Sequence, residues 1–133
     1  MKVSTRGDYA ARALLSLALH DDHEGPTSVR DIAERTGLPQ PYLEQILLAL
    51  KGAGLVRSKR GVGGGYVLAR DPSKISIVDV MEAIDGPIGM TPCERGSSCE
   101  QMDRCSVRDP LMKLKVKVVR VLGDTSIYEL AMN

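Results

Sequence analysis

The stretch SVRDIAERTGLPQPYLEQILLAL, residues 28–50, and the segment LVRSKRGVGGGYVL, residues 55–68, decide the fold. Ser28 reads as a helix cap with Asp31 three residues on, and Val29, Ile32 and Ala33 follow as the buried positions of a short helix. Thr36-Gly37-Leu38 is a tight turn. Pro39 and Pro41 then open a second helix, where a missing N–H is tolerated because the first turn lacks acceptors anyway. That helix runs through Tyr42, Leu43, Ile46, Leu47 and Leu50 and stops near Gly52 and Gly54. Two short helices joined by a turn of three or four residues containing Gly form a helix-turn-helix pattern. Residues 55–58 and 65–68 are strand-like, and the basic, Gly-rich run between them makes a hairpin tip, a wing.

Working outward, residues 4–20 read as a helix, with Thr5 and Asp8 as its capping box and Tyr9, Ala13, Leu14, Leu17 and Ala18 as its apolar stripe. Ser76 caps a further helix at 77–85, with Asp79 as its first-turn acid. Asp109-Pro110 starts a long amphipathic helix whose stripe is Leu111, Leu114, Val118, Val121 and Leu122. Asp124 or Thr125 caps a last short turn through Leu130. The expected architecture is mainly α with a small β-wing: a winged helix-turn-helix plus a long C-terminal dimerisation helix. The expected units are a DNA-binding domain at 1–85 (helix 1 also serving the dimer), a cysteine loop at 86–108, and a dimerisation helix and tail at 109–133.

The totals are consistent with this. The chain has 133 residues, 43% of them hydrophobic, with no Phe or Trp, so the core is aliphatic. The net charge is only +1, but residues 45–70 hold no acid and five bases: Lys51, Arg57, Lys59, Arg60 and Arg70. A local basic face matters more to a polyanion than the global sum. A second acid-free run, 113–120, reads as a solvated helix face. The first residues lack the apolar region of a signal peptide and no apolar run is long enough to span a membrane, so a cytoplasmic protein is expected.

A recognition helix places polar side chains of its first turns against base edges in the major groove. Here these are Gln40, Tyr42, Glu44 and Gln45. Gln pairs bidentately with adenine, and Glu accepts from the amino group of cytosine. Arg60, at the wing tip, suits the minor groove or the backbone, while Arg57 and Lys59 suit phosphates. Gly61-Val62-Gly63-Gly64-Gly65 lacks the spacing and the Lys-Ser/Thr ending of a phosphate-binding loop, and it leads into a strand.

Cys93, Cys99 and Cys105 recur with five residues between each pair, inside a segment of little periodicity. Thiolates are soft ligands that favour iron–sulfur clusters, zinc or copper(I). The paired C-x2-C spacing and four protein ligands of a structural zinc site are not evident. Buried structural cysteines, or a disulfide with a spare thiol, are the plainer alternatives. Glu94, Glu100 and Asp103 are oxygen ligands in reserve.

Residues 4–10 (STRGDYA), 42–47 (YLEQIL) and 60–66 (RGVGGGY) together resemble the family of bacterial winged-helix, iron–sulfur transcriptional regulators that includes IscR, NsrR and CymR. The resemblance covers essentially the whole chain. It implies a homodimer on a pseudo-palindromic operator, paired through the long C-terminal helix, with Cys93, Cys99 and Cys105 holding a [2Fe-2S] or [4Fe-4S] cluster. Ser28, at the start of the helix-turn-helix, is a further expected DNA contact. The chain departs from the IscR branch where that branch has a histidine three residues after the last cysteine: here stands Arg108, which cannot ligate a metal cation. His20 and His23 lie far from the cysteines in sequence. Asp8 matches the aspartate that NsrR-like members offer across the dimer, so it is the expected fourth ligand; its plain reading is a first-turn acid.

The expected function is therefore a homodimeric transcriptional regulator, a repressor, that senses iron–sulfur status or redox or nitric oxide stress. The alternatives are a zinc- or thiol-based winged-helix switch without a cluster, and a protein-interaction module with no DNA role. No nucleophile–base pair or carboxylate dyad stands out, so no enzyme is expected.

Overall fold

The computed structural model describes residues 3–20, 25–89 and 104–132. The elements run α1 (Thr5–Leu19), α2 (Val29–Thr36), α3 (Gln40–Gly52), β1 (Val56–Lys59), β2 (Gly65–Leu68), a 3-10 turn (Pro72–Lys74), α4 (Ile77–Asp85), α5 (Arg108–Asp124) and α6 (Ile127–Met132). This is the expected mainly helical fold with a two-stranded wing.

Local chemistry explains the boundaries. α2 begins where the Ser28 hydroxyl accepts from the Asp31 N–H at 3.1 Å and ends at Gly37, in the left-handed region at φ 72°. α4 carries a full capping box: Ser76 Oγ accepts from the Asp79 N–H, and the Asp79 carboxylate accepts from the Ser76 N–H. At the 3-10 turn, the Ser73 hydroxyl and N–H hold the Asp71 carboxyl below its ordinary value.

Two expected caps are corrected. The cap of α1 is Ser4, not Thr5: Ser4 is extended and accepts from the Gly7 N–H at 2.9 Å. Asp8 makes an ion pair with Arg12 instead of reaching back to the cap. Likewise Ser126, not Asp124 or Thr125, caps the last helix, accepting from the Glu129 N–H at 3.1 Å. In both places cap-capable residues adjoin, and the serine next to the first helical residue is the one that caps.

The core forms where α1, α2, α3 and α4 meet. Ala10, Ala13, Leu14, Ile32, Leu43, Ile46, Leu47, Leu50, Leu55, Ile75 and Val80 are buried there. Burying each larger aliphatic side chain is worth roughly 1.5–3 kcal/mol, so α3 is fixed by four such residues on one face and leaves its other face to solvent.

Two links join distant parts. Thr27 and Tyr66 exchange backbone hydrogen bonds at 2.9 and 2.8 Å, so the start of the helix-turn-helix is stitched to the wing. At the other end, Ile77 N donates to Thr125 O and Ile127 N to Ile75 O. Ile127 is fully buried in the same core. The segment after α5 therefore completes the head and does not trail from it.

Candidate nucleic-acid interface and cysteine segment

The exposed side of α3 and the outer face of the wing carry the predicted DNA-reading residues. In α3, Leu43, Ile46, Leu47 and Leu50 point inward, and Gln40, Tyr42, Glu44, Gln45 and Leu48 are exposed. Gln40 Nε2 donates to Glu44 Oε1 at 3.4 Å, one turn apart on the reading side. Tyr42 is 57% exposed, and its ring meets that of Tyr9 edge to face, with centroids 6.5 Å apart at 88°. Ser28 spends one hydroxyl lone pair on the cap of α2, and its O–H proton stays available.

The wing's pairing sorts its residues by face. Val56 pairs with Leu68, Arg57 with Val67, Ser58 with Tyr66 and Lys59 with Gly65. Because successive side chains alternate, Val56, Leu68 and Tyr66 turn toward the core, and Arg57 and Lys59 share the opposite, exposed face. Arg60 follows at the exposed tip. Strand β1 begins one residue later than expected, because the Leu55 N–H donates to the Leu50 carbonyl at the end of α3.

Gly65 has a strict steric reason. A Cβ there would lie 2.1 Å from the Thr27 carbonyl oxygen and 2.7 Å from the Ser28 nitrogen, at φ +152°. The stitch between wing and helix-turn-helix requires that absence of a side chain.

The expected ligands fall differently. Cys93, Cys99, Glu94, Glu100 and Asp103, with His23, lie outside the described residues. Cys105 is a free, half-buried thiol just ahead of α5. Among the described residues, no three His, Cys, Asp or Glu side chains converge. Asp8 lies half-exposed in the first turns of α1, with its two oxygens 3.2 Å from Arg12 nitrogens. An exposed pair of this kind is worth under about 1 kcal/mol, so it leaves Asp8 free to exchange partners. His20 Nδ1 lies 2.9 Å from the Ser16 carbonyl oxygen and ends α1. As a donor set, three thiolates with one carboxylate fit an iron–sulfur centre chemically.

Sequence reasoning missed two residues of this region. Thr27 reads as a loop residue beside Pro26, and its isolated bridge to Tyr66 leaves no local signal. Tyr9 reads as one more stripe residue of α1, and only the packing places its ring against Tyr42. No helix among the described residues is long and apolar enough to cross a membrane.

Comparison with known proteins points to a family of transcriptional regulators. The family model of Rrf2, described as an iron-dependent transcriptional regulator, matches residues 3–133. The HTH-type transcriptional regulator IscR of Xenorhabdus nematophila is 39% identical over 133 residues, all of this chain and 80% of that protein. The solved structure of CymR, the global cysteine regulator of B. subtilis, is 34% identical with a TM-score of 0.80, covering 99% of this chain and 97% of that one. A solved IscR of T. potens is 36% identical with a TM-score of 0.75, covering 98% and 85%.

Proposed function

The chain belongs to the Rrf2 family of transcriptional regulators, a DNA-binding regulator and not an enzyme, and from that premise we propose a homodimeric, cytoplasmic repressor whose operator affinity follows the state of an iron–sulfur cluster. The observation that carries the DNA part of this reading is the pairing of two surfaces. The polar exposed side of α3 and the Arg57, Lys59 and Arg60 face of the wing belong to one head, whose wing is bonded through Thr27 to the start of the helix-turn-helix. In this reading α3 enters the major groove, with Gln40, Glu44 and Gln45 against base edges and Tyr42 beside them. Ser28, Arg57 and Lys59 hold phosphates, and Arg60 reaches the minor groove or backbone.

Dimerisation falls to α5. None of its residues is buried in the single chain, and Leu114 and Val121 stand in solvent with Val118 and Leu122 beside them. A second copy supplies the missing cover and generates a pseudo-palindromic operator through its two-fold axis. The functional units are then the head at 1–85, the cysteine loop at 86–108, and the pairing helix and tail at 109–133, the tail also closing the head.

Cys93, Cys99 and Cys105 would hold the cluster, and Asp8 of the second copy would supply the fourth ligand. When bound, such a centre supplies reactivity toward oxygen, nitric oxide or iron supply. The chain's own part is to let Asp8 exchange Arg12 for a metal at small cost.

Anaerobic purification tests the reading. Visible charge-transfer absorption with iron and acid-labile sulfide supports it, whereas colourless protein with stoichiometric zinc overturns the cluster. Asp8→Ala is expected to change the cluster spectrum or its lifetime in air while shifting the unfolding free energy of the apo-protein by less than about 1 kcal/mol. An unchanged cluster makes Asp8 a partner of Arg12 only.

A second reading, a zinc- or thiol-based switch without a cluster, draws on the free Cys105 thiol and on Arg108 standing where the IscR branch offers a histidine. Operator affinity that responds to a thiol oxidant in iron-free protein would favour it.

A further inference from the structure

The reading turn of α3 is held in an unusual way. α1, α2 and α4 each begin at a serine whose hydroxyl accepts from a first-turn N–H. α3 begins at Pro39 with no side-chain cap. The Gln40 to Glu44 hydrogen bond lies within the helix itself, so it does not fix the turn to the rest of the head.

Leu43 anchors this turn in the core, and on its exposed side it is the ring of Tyr9 that reaches it from outside. Tyr42, the third residue of α3, meets it at 6.5 Å and 88°. The two rings differ in support. Tyr9 is half-buried and packs against the core, on a helix whose start is fastened twice: Ser4 caps it, and the Ser4 hydroxyl donates to Asp85 Oδ2 at 2.6 Å. Tyr42 is mostly in solvent. A ring anchored in the core thus braces a ring offered to the operator. The perpendicular geometry sets the positive edge of one ring against the negative face of the other, an arrangement that depends on the ring and not on its hydroxyl.

We infer that Tyr9 is a positioning residue for operator recognition: it touches no base but fixes the orientation of Tyr42 on the reading turn of α3. The inference rests on the proposal that α3 lies in the major groove. It assigns a specificity role to a residue that α1's periodicity marks only as packing.

The test uses the full-length dimer and fluorescence anisotropy on its operator and on a panel of single-base-pair variants. Tyr9→Leu is expected to weaken the best operator about two- to tenfold, the factor an aromatic edge contact commonly carries. It should also flatten discrimination at one or two base pairs of each half-site. Tyr9→Phe should keep the wild-type profile. In a Tyr42→Leu background, Tyr9→Leu should have no further effect. Should the leucine variant unfold, Tyr9→Met fills the same apolar site without a ring and serves in its place. Equal loss on all sequences, additivity with Tyr42→Leu, or no change would overturn the brace alone. Wild-type protein that binds no duplex would overturn the reading of α3 and the brace with it.

Discussion

At the scale of single residues, the head separates those that build it from those that read. Gly65 builds: its hydrogen faces the Thr27 carbonyl at a distance no carbon can occupy. Gly65→Ala is expected to destabilise the fold by about 2–4 kcal/mol, because backbone and not a flexible side chain must give way. Urea denaturation measures it, and a change below about 1 kcal/mol would mean that the stitch to Thr27 is dispensable. Arg60 is one of the proposed DNA contacts: it is exposed at the wing tip, outside the core. Arg60→Ala should leave the unfolding midpoint in place, weaken operator binding across sequences, and lower the slope of log affinity against log salt by about one. An unchanged slope would remove Arg60 from the phosphate contacts. Asp8 shows where sequence stops at this scale. An acid in a first turn is visible in the sequence, but its choice between helix dipole, Arg12 and metal is not, since all three favour the same carboxylate.

At the scale of elements, legibility follows locality. α2, α3 and the wing carry their instructions within a few residues: the serine cap, Gly37 at the turn, the two prolines and the glycine run. They lie where the sequence places them, give or take one residue. The Thr27–Tyr66 bridge and the burial of Ile127 were not legible, because each is a single contact between segments far apart in the chain. The expectation of metal ligation comes from the type and spacing of the three cysteines, of which Cys93 and Cys99 lie outside the described residues. Helix α5 shows the opposite imbalance. Its 17 residues span about 25 Å, and its apolar stripe was plain, yet Val121 is 67% exposed in the single chain. A charge there costs the monomer little and a paired interface a great deal. Val121→Glu is therefore expected to yield folded monomers by analytical ultracentrifugation, with operator binding reduced at least tenfold. A dimer of unchanged stability would place the pairing surface elsewhere.

At the scale of the whole molecule, the chain closes on itself. The residues after α5 return to the head: the Thr125 carbonyl accepts from Ile77 at the start of α4, the Ile127 N–H donates to Ile75 just before it, and Ile127 fills the core. Ile127→Ala should cost about 2–5 kcal/mol and lower a single cooperative transition. Were the tail an independent appendage, a separate early transition would appear by circular dichroism while the head melted as before. The residues that follow α5 thus tie that helix to the core of the head.

The wing has a consequence for how such a protein changes over generations. Gly64 and Gly65, where the tip joins β2, are demanded by backbone atoms that cannot move, whereas Arg60 and Val62 in the tip are exposed, Val62 almost wholly so. In a saturation library selected only for folding, Gly65 should be intolerant and positions 60 and 62 nearly unconstrained. On the proposed reading, mutational drift at the tip can therefore rescale how tightly the head holds DNA while its scaffold stays the same, so affinity can be retuned without first passing through an unstable ancestor.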